Sequence, residues 1–457
     1  MQRMEARVDW FAVPIRLLHK EFEDFITGGK KGDYEGTPPY ITAASGMFVK
    51  NGIFDYLRVQ PHTVPAGKAG SKFNTYKFQA YQKIYVDYFA DEVLDNSEVE
   101  YIEENLQWSG GNQNARFTNP NSPWAQMSGL KTICYKKDYF TSAQPEPQKG
   151  DSVYLMAPLL VEPMDPTNFL SFDSGANLFL EETGHVNSTV VRDDPEGDPY
   201  AEDSRVRIPL TMHDIEEFRA IQNFRDNNAL YGGRYVEQLR GRWRINPDDA
   251  RLQRAEFIGG GKFILNVTEV TQTSQTDTES GDYLGGYAGK LTGLSNTSKV
   301  RYFTREDVVI MGLLSIRPDT KYSSGTERDN LYMSRWDFLI PEFDNVGEQA
   351  VKNGQLFLTG DHVVDDAEFG YQPIYDDYRS INSAVVGDFR DDLDFWHTAL
   401  KFETTPSLNS EFVHVDHNDF DRIFADADEK DMHVFFECYH HMGAIVPLRR
   451  FPVHTKI

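Results

Sequence analysis

Short apolar stretches separated by Gly and Pro run through the whole 457-residue chain, and few keep a helical period for long. Alternating apolar and polar positions predict strands at residues 7–13 and 262–270. Apolar runs rich in β-branched and aromatic residues predict further strands at 308–316, 383–389 and 433–438. No repeat with a period of about 20–50 residues is visible. The pattern therefore favours many short strands joined by long loops.

Helical periodicity is clear in four stretches, where apolar residues recur three and four positions apart. These stretches are residues 17–25, 78–94, 211–224 and 235–243. In the last of them the apolar stripe consists of Tyr235, Leu239 and Trp243. Such stripes are more typical of a face packed in a core than of a cofactor site. We therefore predict four helices whose aromatic faces are buried.

Two long polar stretches interrupt the apolar pattern. Residues 185–206 carry Pro, Gly and many charges, and residues 271–299 are rich in Thr, Ser and Gly. Loops of this length are usually functional or flexible. Because sequence typical of strands continues on both sides of each, neither is expected to be a domain linker. We expect one domain over residues 1–457, with a flexible loop at 271–299.

The charge balance is acidic, with 46 Lys and Arg against 71 Asp and Glu and a net charge of −25. Such a chain cannot coat nucleic acid by overall neutralisation, so any contact must be local. The two cysteines cannot build a disulfide framework, which indicates a reducing compartment or buried thiols. Neither a secretory signal nor an apolar run of membrane-spanning length is present. These features predict a soluble protein that is cytoplasmic at synthesis and does not insert into a membrane.

No motif in the chain predicts catalysis, a cofactor or a metal. The Gly259–Lys262 stretch lacks the spacing and the hydroxyl residue of a phosphate-binding loop, so a tight turn before a strand is expected. A group of His and Asp residues lacks the spacing of calcium and zinc motifs and is expected to form a solvated acidic loop. Its members are His414, Asp416, His417, Asp419 and Asp421.

One basic patch stands out against this acidic background. Six arginines interleave with two aromatic residues, Tyr235 and Trp243, within residues 234–254. The arginines are Arg234, Arg240, Arg242, Arg244, Arg251 and Arg254. Such a set suits single-stranded DNA, since guanidinium groups meet phosphates and rings stack on bases. The alternative is a set of salt bridges to acidic residues of neighbouring subunits, which is the more common use of arginine at interfaces.

Several motifs occur in a fixed order along most of the chain. Residues 10–17 read WFAVPIRL, residues 78–85 read FQAYQKIY, and residues 138–143 read DYFTSA before a Pro-x-Pro-Gln-Lys-Gly segment. Further blocks follow as far as residue 424. Together they resemble the major capsid protein of the Microviridae, small single-stranded DNA bacteriophages, and in particular its gokushovirus-like branch.

The resemblance implies a mainly β fold, a viral jelly-roll antiparallel β-barrel with long loop and helical insertions. It implies a structural protein, not an enzyme, that assembles through pentamers into a T=1 icosahedral shell around circular single-stranded DNA. The expected location is the virion, assembled in the cytoplasm of a bacterial host. The other expected partners are the spike, pilot and small DNA-binding proteins of the virion. Residues 152–206 are expected to form a variable surface insertion that contacts the host cell.

The family's members carry an amino-terminal arm and early strands ahead of the first motif, which begins here at residue 10. The resemblance therefore predicts either a divergent short form or a start that is misplaced or truncated. In a truncated form the barrel is expected to lack one or two amino-terminal strands. The alternative from another function class is a β-sandwich protein that binds or hydrolyses glycans. A hydrolase of that kind needs two carboxylates facing each other across a cleft, and no pair in the sequence is marked for this role.

Overall fold

This computed structural model describes ten ranges of the chain, and the strands in them lie in three sheets. The described residues are 3–42, 45–63, 70–147, 212–232, 234–271, 287–295, 299–344, 347–419, 421–424 and 436–445. The strands are β1 Met4–Pro14, β2 Pro39–Ile41, β3 Phe73–Asn74, β4 Gly111–Asn112, β5 Glu256–Thr271, β6 Tyr287–Thr292, β7 Val308–Pro318, β8 Glu348–Lys352 and β9 Glu368–Pro373.

The largest sheet is antiparallel, curled, and has the strand order β6-β5-β1-β7. Its central strand β1 pairs with β7 over its whole length, from Met4 opposite Pro318 to Pro14 opposite Val308. On the other side β1 pairs with β5. The strands predicted at 7–13, 262–270 and 308–316 are confirmed as parts of β1, β5 and β7. This sheet is consistent with part of a viral capsid β-barrel.

Both faces of β1 pack against a core. Met4 and Ala6 pack with Leu265 in one apolar cluster, whereas Phe11 and Val13 belong to another. Successive side chains of a strand point to opposite faces, so the even and odd residues of β1 serve the two clusters separately. A strand buried on both sides reads as a nearly continuous apolar run, and the end of β1 has this pattern.

The glycine stretch lies inside a strand, so the predicted tight turn was wrong. Gly260 sits in β5 opposite Asp9, next to a break in register between Trp10 and Phe11. A Cβ atom on Gly260 would lie 2.7 Å from the carbonyl oxygen of Val8. The glycines therefore allow β5 to approach β1 closely beside this β-bulge.

Helices α1 to α9 lie in the connections between strands, and α10 follows the last strand. They are α1 Phe22–Thr27, α2 Ile53–Tyr56, α3 Tyr76–Ile84, α4 Asn96–Asn105, α5 Ala115–Thr118, α6 Pro123–Gln126, α7 Met212–Tyr231, α8 Tyr235–Trp243, α9 His362–Asp365 and α10 Ser410–Val413. A π-helical turn, Tyr85–Phe89, continues α3. Short 3-10 turns lie at Ile15–Leu17, Arg328–Leu331, Arg335–Asp337, Pro341–Phe343, Asn353–Gln355, Asp376–Tyr378, Gly387–Arg390, Asp394–Trp396, His417–Asp419 and Asp421–Ile423.

The first core is built from aromatic residues around α3. Phe78 is fully buried, and its ring stacks on Phe54 with a centroid distance of 5.6 Å. Trp108 and Trp124 meet edge to face at 5.1 Å in the same cluster. Such contacts add about 0.5–1.5 kcal/mol each to the burial of the rings. The helix predicted at 78–94 is confirmed in its first half, and its aromatic face is buried as expected.

A second core lies between the β8-β9 hairpin and the segments around residues 135–143 and 400–415. It contains Tyr135, Phe140, Val351, Phe369 and Val413, all buried. The small sheet β3-β2-β4 lies beside the first core, where Ile41 of β2 is fully buried.

Three further predictions about secondary structure require correction. Residues 383–389 form no strand, since they contribute one isolated bridge at Ala384 and the start of a 3-10 turn. In 433–438, the described residues 436–438 have no regular structure. The predicted loop at 271–299 contains strand β6, which pairs with β5 from Asn266 to Thr271. In each case local composition gave a wrong prediction of secondary structure, because strand formation depends on pairing with a strand that is distant in sequence.

The chain divides into two compact units, residues 1–147 with 230–457, and residues 148–229. The second unit includes the predicted surface insertion at 152–206, which lies outside the described residues. Within the described part of the chain, no helix combines the length and the apolar character needed to cross a bilayer.

Candidate nucleic-acid interface

Helix α8 carries most of the predicted basic patch. Its first residue follows Arg234, whose backbone N–H donates to the carboxylates of Glu92, at 2.9 Å, and Glu237, at 3.3 Å. These acceptors satisfy a donor that a helix start otherwise leaves free. The helix ends at Trp243. Arg244 follows with a left-handed backbone (φ 55°) and donates its N–H to the carbonyl of Arg240, as in a common helix C-terminal motif.

The guanidinium group of Arg234 is held inside the protein. It donates to the carbonyl oxygen of Val86 at 2.6 Å, and its Nε lies 3.7 Å from the carboxylate of Glu92. Burial raises the pKa of the nearby Glu237 carboxyl, and repulsion from Glu92 raises it further. The positive charge of Arg234 acts in the opposite direction but does not cancel these effects. Arg234 therefore anchors the start of α8 to the turn that follows α3.

Arg254 has a similar internal role at the other end of the patch. Its guanidinium group donates to the carbonyl of Asp87, lies 3.7 Å from the carboxylate of Asp249, and stacks over the ring of Tyr88 at 4.9 Å. The side-chain carboxylate of Asp87 accepts a hydrogen bond from the backbone N–H of Ala255 at 2.8 Å. Because these contacts are intramolecular, Arg254 fixes the chain where it enters β5.

The remaining members of the patch face outwards in this single chain. Tyr235 and Trp243 are 66% and 70% exposed. The three exposed arginines, Arg240, Arg244 and Arg251, make no ion pair with any residue that the structure describes. Arg242 is partly buried, and its Nε donates to the amide oxygen of Gln238 at 2.6 Å.

The apolar stripe of α8 was predicted to be buried, and this prediction was wrong for Tyr235 and Trp243. Val236 is the buried residue of this helix. Helix α7 departs from the prediction in the same way, because Ile215, Ile221 and Phe224 are 37–53% exposed. Periodicity identifies an apolar face, but it does not say whether the face packs within the chain or against another molecule.

Five side chains thus form what we call the exposed Arg-aromatic surface: Tyr235, Arg240, Trp243, Arg244 and Arg251. Flat rings can stack on bases and guanidinium groups can pair with phosphates, so these side chains suit single-stranded nucleic acid. The same groups can also contact acidic residues of another subunit.

A buried polar cluster was not predicted from the sequence. Asp95, Cys134 and His414 lie close together, so His414 does not belong to a solvated acidic loop as expected. Burial disfavours the charged imidazole, but hydrogen bonds to Asp95 and Cys134 outweigh it and raise the pKa of His414 to about 10. Burial alone would raise the pKa of Asp95, but its hydrogen bonds with His414 and Ser410 lower the pKa below the usual value.

Asp419, another member of the predicted acidic loop, is also partly buried. Its carboxylate accepts a hydrogen bond from the hydroxyl of Tyr135 at 2.8 Å. Burial raises the pKa of Asp419, and the nearby Asp416 acts in the same direction. Only part of the group is therefore solvated, since Asp416 is exposed whereas Asp421 is partly buried.

A family described as Capsid protein (F protein) matches residues 1–450 of the chain. The chain belongs to this capsid protein family. Its relatives include Capsid protein VP1 of Chlamydia phage 1, which is 28% identical over 94% of this chain and 83% of its own length. Capsid protein VP1 of Bdellovibrio phage phiMH2K is 29% identical over 90% of this chain and 78% of its own length. Capsid protein VP1 of Spiroplasma virus 4 is 29% identical over 91% and 78%.

These relatives confirm the predicted resemblance to the gokushovirus-like capsid proteins. The protein is a structural major capsid protein of a small bacteriophage. Family membership decides between the two function classes and favours the capsid subunit over a glycan-binding or glycan-hydrolysing protein.

Proposed function

We propose that this capsid protein assembles through pentamers into a T=1 icosahedral shell that encloses circular single-stranded DNA. The match to the capsid family over residues 1–450 carries the proposal. In the proposed shell the curled sheet forms part of a jelly-roll barrel, and the subunit has a structural role without catalysis. The shell is assembled in the cytoplasm of the bacterial host and becomes part of the virion.

Exposed apolar residues support self-association. Several large side chains are at least half exposed in the single chain, many of them within residues 333–339. They include Leu294, Phe303, Met333, Trp336, Phe338, Leu339 and Ile381. Apolar surface of this kind marks interaction sites, and closed symmetric assembly buries self-complementary surface. We assign these side chains to contacts between subunits.

Sedimentation velocity of the full-length protein tests the assembly. We expect concentration-dependent species larger than the monomer, because each subunit must bury its exposed apolar surface against its neighbours. L339D should shift the distribution towards monomer, while D392N, at an exposed site outside residues 333–339, serves as a control that should leave it unchanged. A stable monomer at all concentrations would contradict the proposal.

The exposed Arg-aromatic surface is proposed to face the shell interior and contact the packaged DNA. With a net charge of −25, the protein cannot hold its genome by bulk attraction. Local arginine contacts with base stacking provide an alternative that does not require a basic protein. Arg234 and Arg254 support this surface from within the chain through their intramolecular ion pairs.

The proposed role as a capsid subunit also implies contacts with other proteins of the virion and with the host cell. The spike, pilot and small DNA-binding proteins are proposed partners, and residues 152–206 are proposed to contact the host cell surface. Deletion of 152–206 should alter adsorption of virions to cells while shells still form. Loss of assembly in this variant would instead place the segment in a subunit interface.

A further inference from the structure

Three potential metal ligands from distant parts of the sequence meet beside the second core. Cys134 and His414 face each other across an antiparallel bridge. Backbone hydrogen bonds on both sides hold this register, from Tyr135 to Val413 and from Val415 to Ile133, each 2.8 Å long. Asp95 precedes helix α4 and points into the same place. The backbone pairing thus holds Cys134 and His414 side by side, and Asp95 reaches them from the start of α4.

The three ligand atoms lie within 4.8 Å of one another. Nε2 of His414 is 3.8 Å from Sγ of Cys134 and 2.9 Å from Oδ2 of Asp95. Zinc bonds of about 2.0–2.3 Å in a tetrahedral site place ligand atoms roughly 3.3–3.8 Å apart. The sulfur–nitrogen separation already fits, and the nitrogen–oxygen pair would open by a few tenths of an ångström.

The other ring nitrogen of His414 is oriented as in a metal-binding histidine. Nδ1 lies 3.2 Å from the carbonyl oxygen of Thr132 and 2.9 Å from its hydroxyl oxygen. In the metal-free protein the charged ring donates from Nδ1 to Thr132 and from Nε2 to Asp95. A metal ion would displace the Nε2 proton and bind the freed lone pair, while the Nδ1–H would keep its bond to the carbonyl oxygen of Thr132. Outer hydrogen bonds of this kind fix the tautomer and ring orientation of histidine ligands.

The burial of the three side chains favours a metal site over a group of polar side chains exposed to water. Asp95 and His414 are 6% and 9% exposed, and Cys134 is partly buried. The Cys134 thiol donates to the carbonyl of Phe89 at 3.4 Å, and this bond is weak because a thiol is a weak donor. A set of sulfur, imidazole nitrogen and one carboxylate suits zinc and similar ions, whereas Ca²⁺ and Mg²⁺ prefer oxygen alone.

We propose that Asp95, Cys134 and His414 form a binding site for one divalent transition-metal ion of the zinc class. The fourth ligand is a water molecule or the hydroxyl of Ser410, which already donates to Asp95. The ion would cross-link the start of α4, the segment at Cys134 and the end of α10. It would stabilise the subunit by joining segments that lie far apart in sequence.

Cobalt binding to the full-length protein, stripped of metal with a chelator, tests the site. Wild-type protein should bind one equivalent of Co²⁺ with a thiolate-to-cobalt charge-transfer band, and Zn²⁺ should abolish the band by displacement. The second cysteine, Cys438, is exposed and provides a matched control. C438S should keep the band and C134S should lose it. A wild-type protein without the band, or a band that disappears in C438S, would overturn the proposal.

A second measurement removes the dependence on a folded C134S variant. In ¹¹³Cd NMR, the C438S protein should give one resonance in the range of mixed sulfur, nitrogen and oxygen ligands. Zn²⁺ should also raise the melting temperature of this protein. A cadmium signal typical of oxygen ligands alone, or no signal, would show that the cluster is an ion pair of His414 and Asp95 without metal.

Discussion

The buried imidazole of His19 makes stability depend on pH at the scale of one residue. Its Nδ1 lies 3.0 Å from the hydroxyl of Tyr76, and its side chain is fully buried. Burial lowers the pKa of His19, and the nearby Glu21 carboxylate offsets this effect only in part. The folded protein therefore keeps this imidazole neutral at pH values where the unfolded chain protonates it.

The sign of this effect follows from proton binding. Below about pH 6.5 the unfolded state takes up a proton that the folded state binds only at lower pH. The contribution of His19 to stability is therefore complete above that pH and is lost as the pH falls towards the folded-state pKa. In H19Q, the free energy of unfolding should fall less between about pH 7 and pH 5 than in wild type. Urea titrations at several pH values measure this difference.

The control for this experiment is H362Q, since the side chain of His362 is 88% exposed. This variant should retain the wild-type dependence of stability on pH. If the free energy of unfolding of H19Q fell with pH as steeply as that of wild type, the assignment of a buried neutral imidazole would be contradicted.

Gly260 gives a second prediction at the scale of one residue. A Cβ atom at this position would meet the carbonyl of Val8 at 2.7 Å, and backbone atoms cannot move aside as a flexible side chain can. We expect G260A to lower the free energy of unfolding by about 1–3 kcal/mol. The control is G129A, because a Cβ on Gly129 meets no atom within 4 Å. Equal stability of the two variants in urea would contradict the close approach of β1 and β5.

At the scale of elements, helix α3 is held by its buried aromatic face. Phe78 is fully buried among Phe54, Trp108 and Trp124, so F78A should lower the free energy of unfolding by about 3–5 kcal/mol. The matched control F303A removes a ring that is 81% exposed and should change stability by less than about 0.5 kcal/mol. Urea unfolding of unassembled subunits measures both. A loss of less than 1 kcal/mol in F78A, or equal losses, would contradict this account.

Elements with strong local patterns could be predicted from the sequence. Strands β1, β5 and β7 were predicted because their apolar positions alternate or form a run of strand length. Helix α8 was predicted with its observed bounds, Tyr235–Trp243. The predicted burial of its aromatic stripe was wrong, since the period of a pattern carries no information on what packs against it.

The site residues also include some that the sequence could predict and some that it could not. An arginine-aromatic cluster is visible in sequence because its members are close neighbours. The internal ion pairs of Arg234 and Arg254, however, arise from contacts with Glu92 and Asp87, which lie far away in the sequence. The cluster of Asp95, Cys134 and His414 could not be predicted, because its three members come from separate segments. Tertiary contacts, which single-sequence patterns do not encode, create both features.

At the scale of the whole molecule, the DNA proposal rests on three exposed arginines. The triple variant R240A/R244A/R251A should form shells that retain less DNA and lose it at lower salt, since each removed charge removes a phosphate contact. The triple variant R58A/R301A/R305A removes the same charge at other exposed positions and serves as the control. The DNA content of purified particles at increasing salt measures the effect. Equal DNA retention in both variants would contradict the proposed role of the exposed Arg-aromatic surface.

Assembly into a shell is the central claim, and electron microscopy of the expressed full-length protein tests it most directly. The account predicts closed particles whose image averages show icosahedral symmetry with one subunit per asymmetric unit, as a T=1 shell requires. Exposed apolar surface on the single chain would be covered at the contacts between subunits in those particles. Dispersed monomers at high protein concentration, or only irregular aggregates, would contradict the claim.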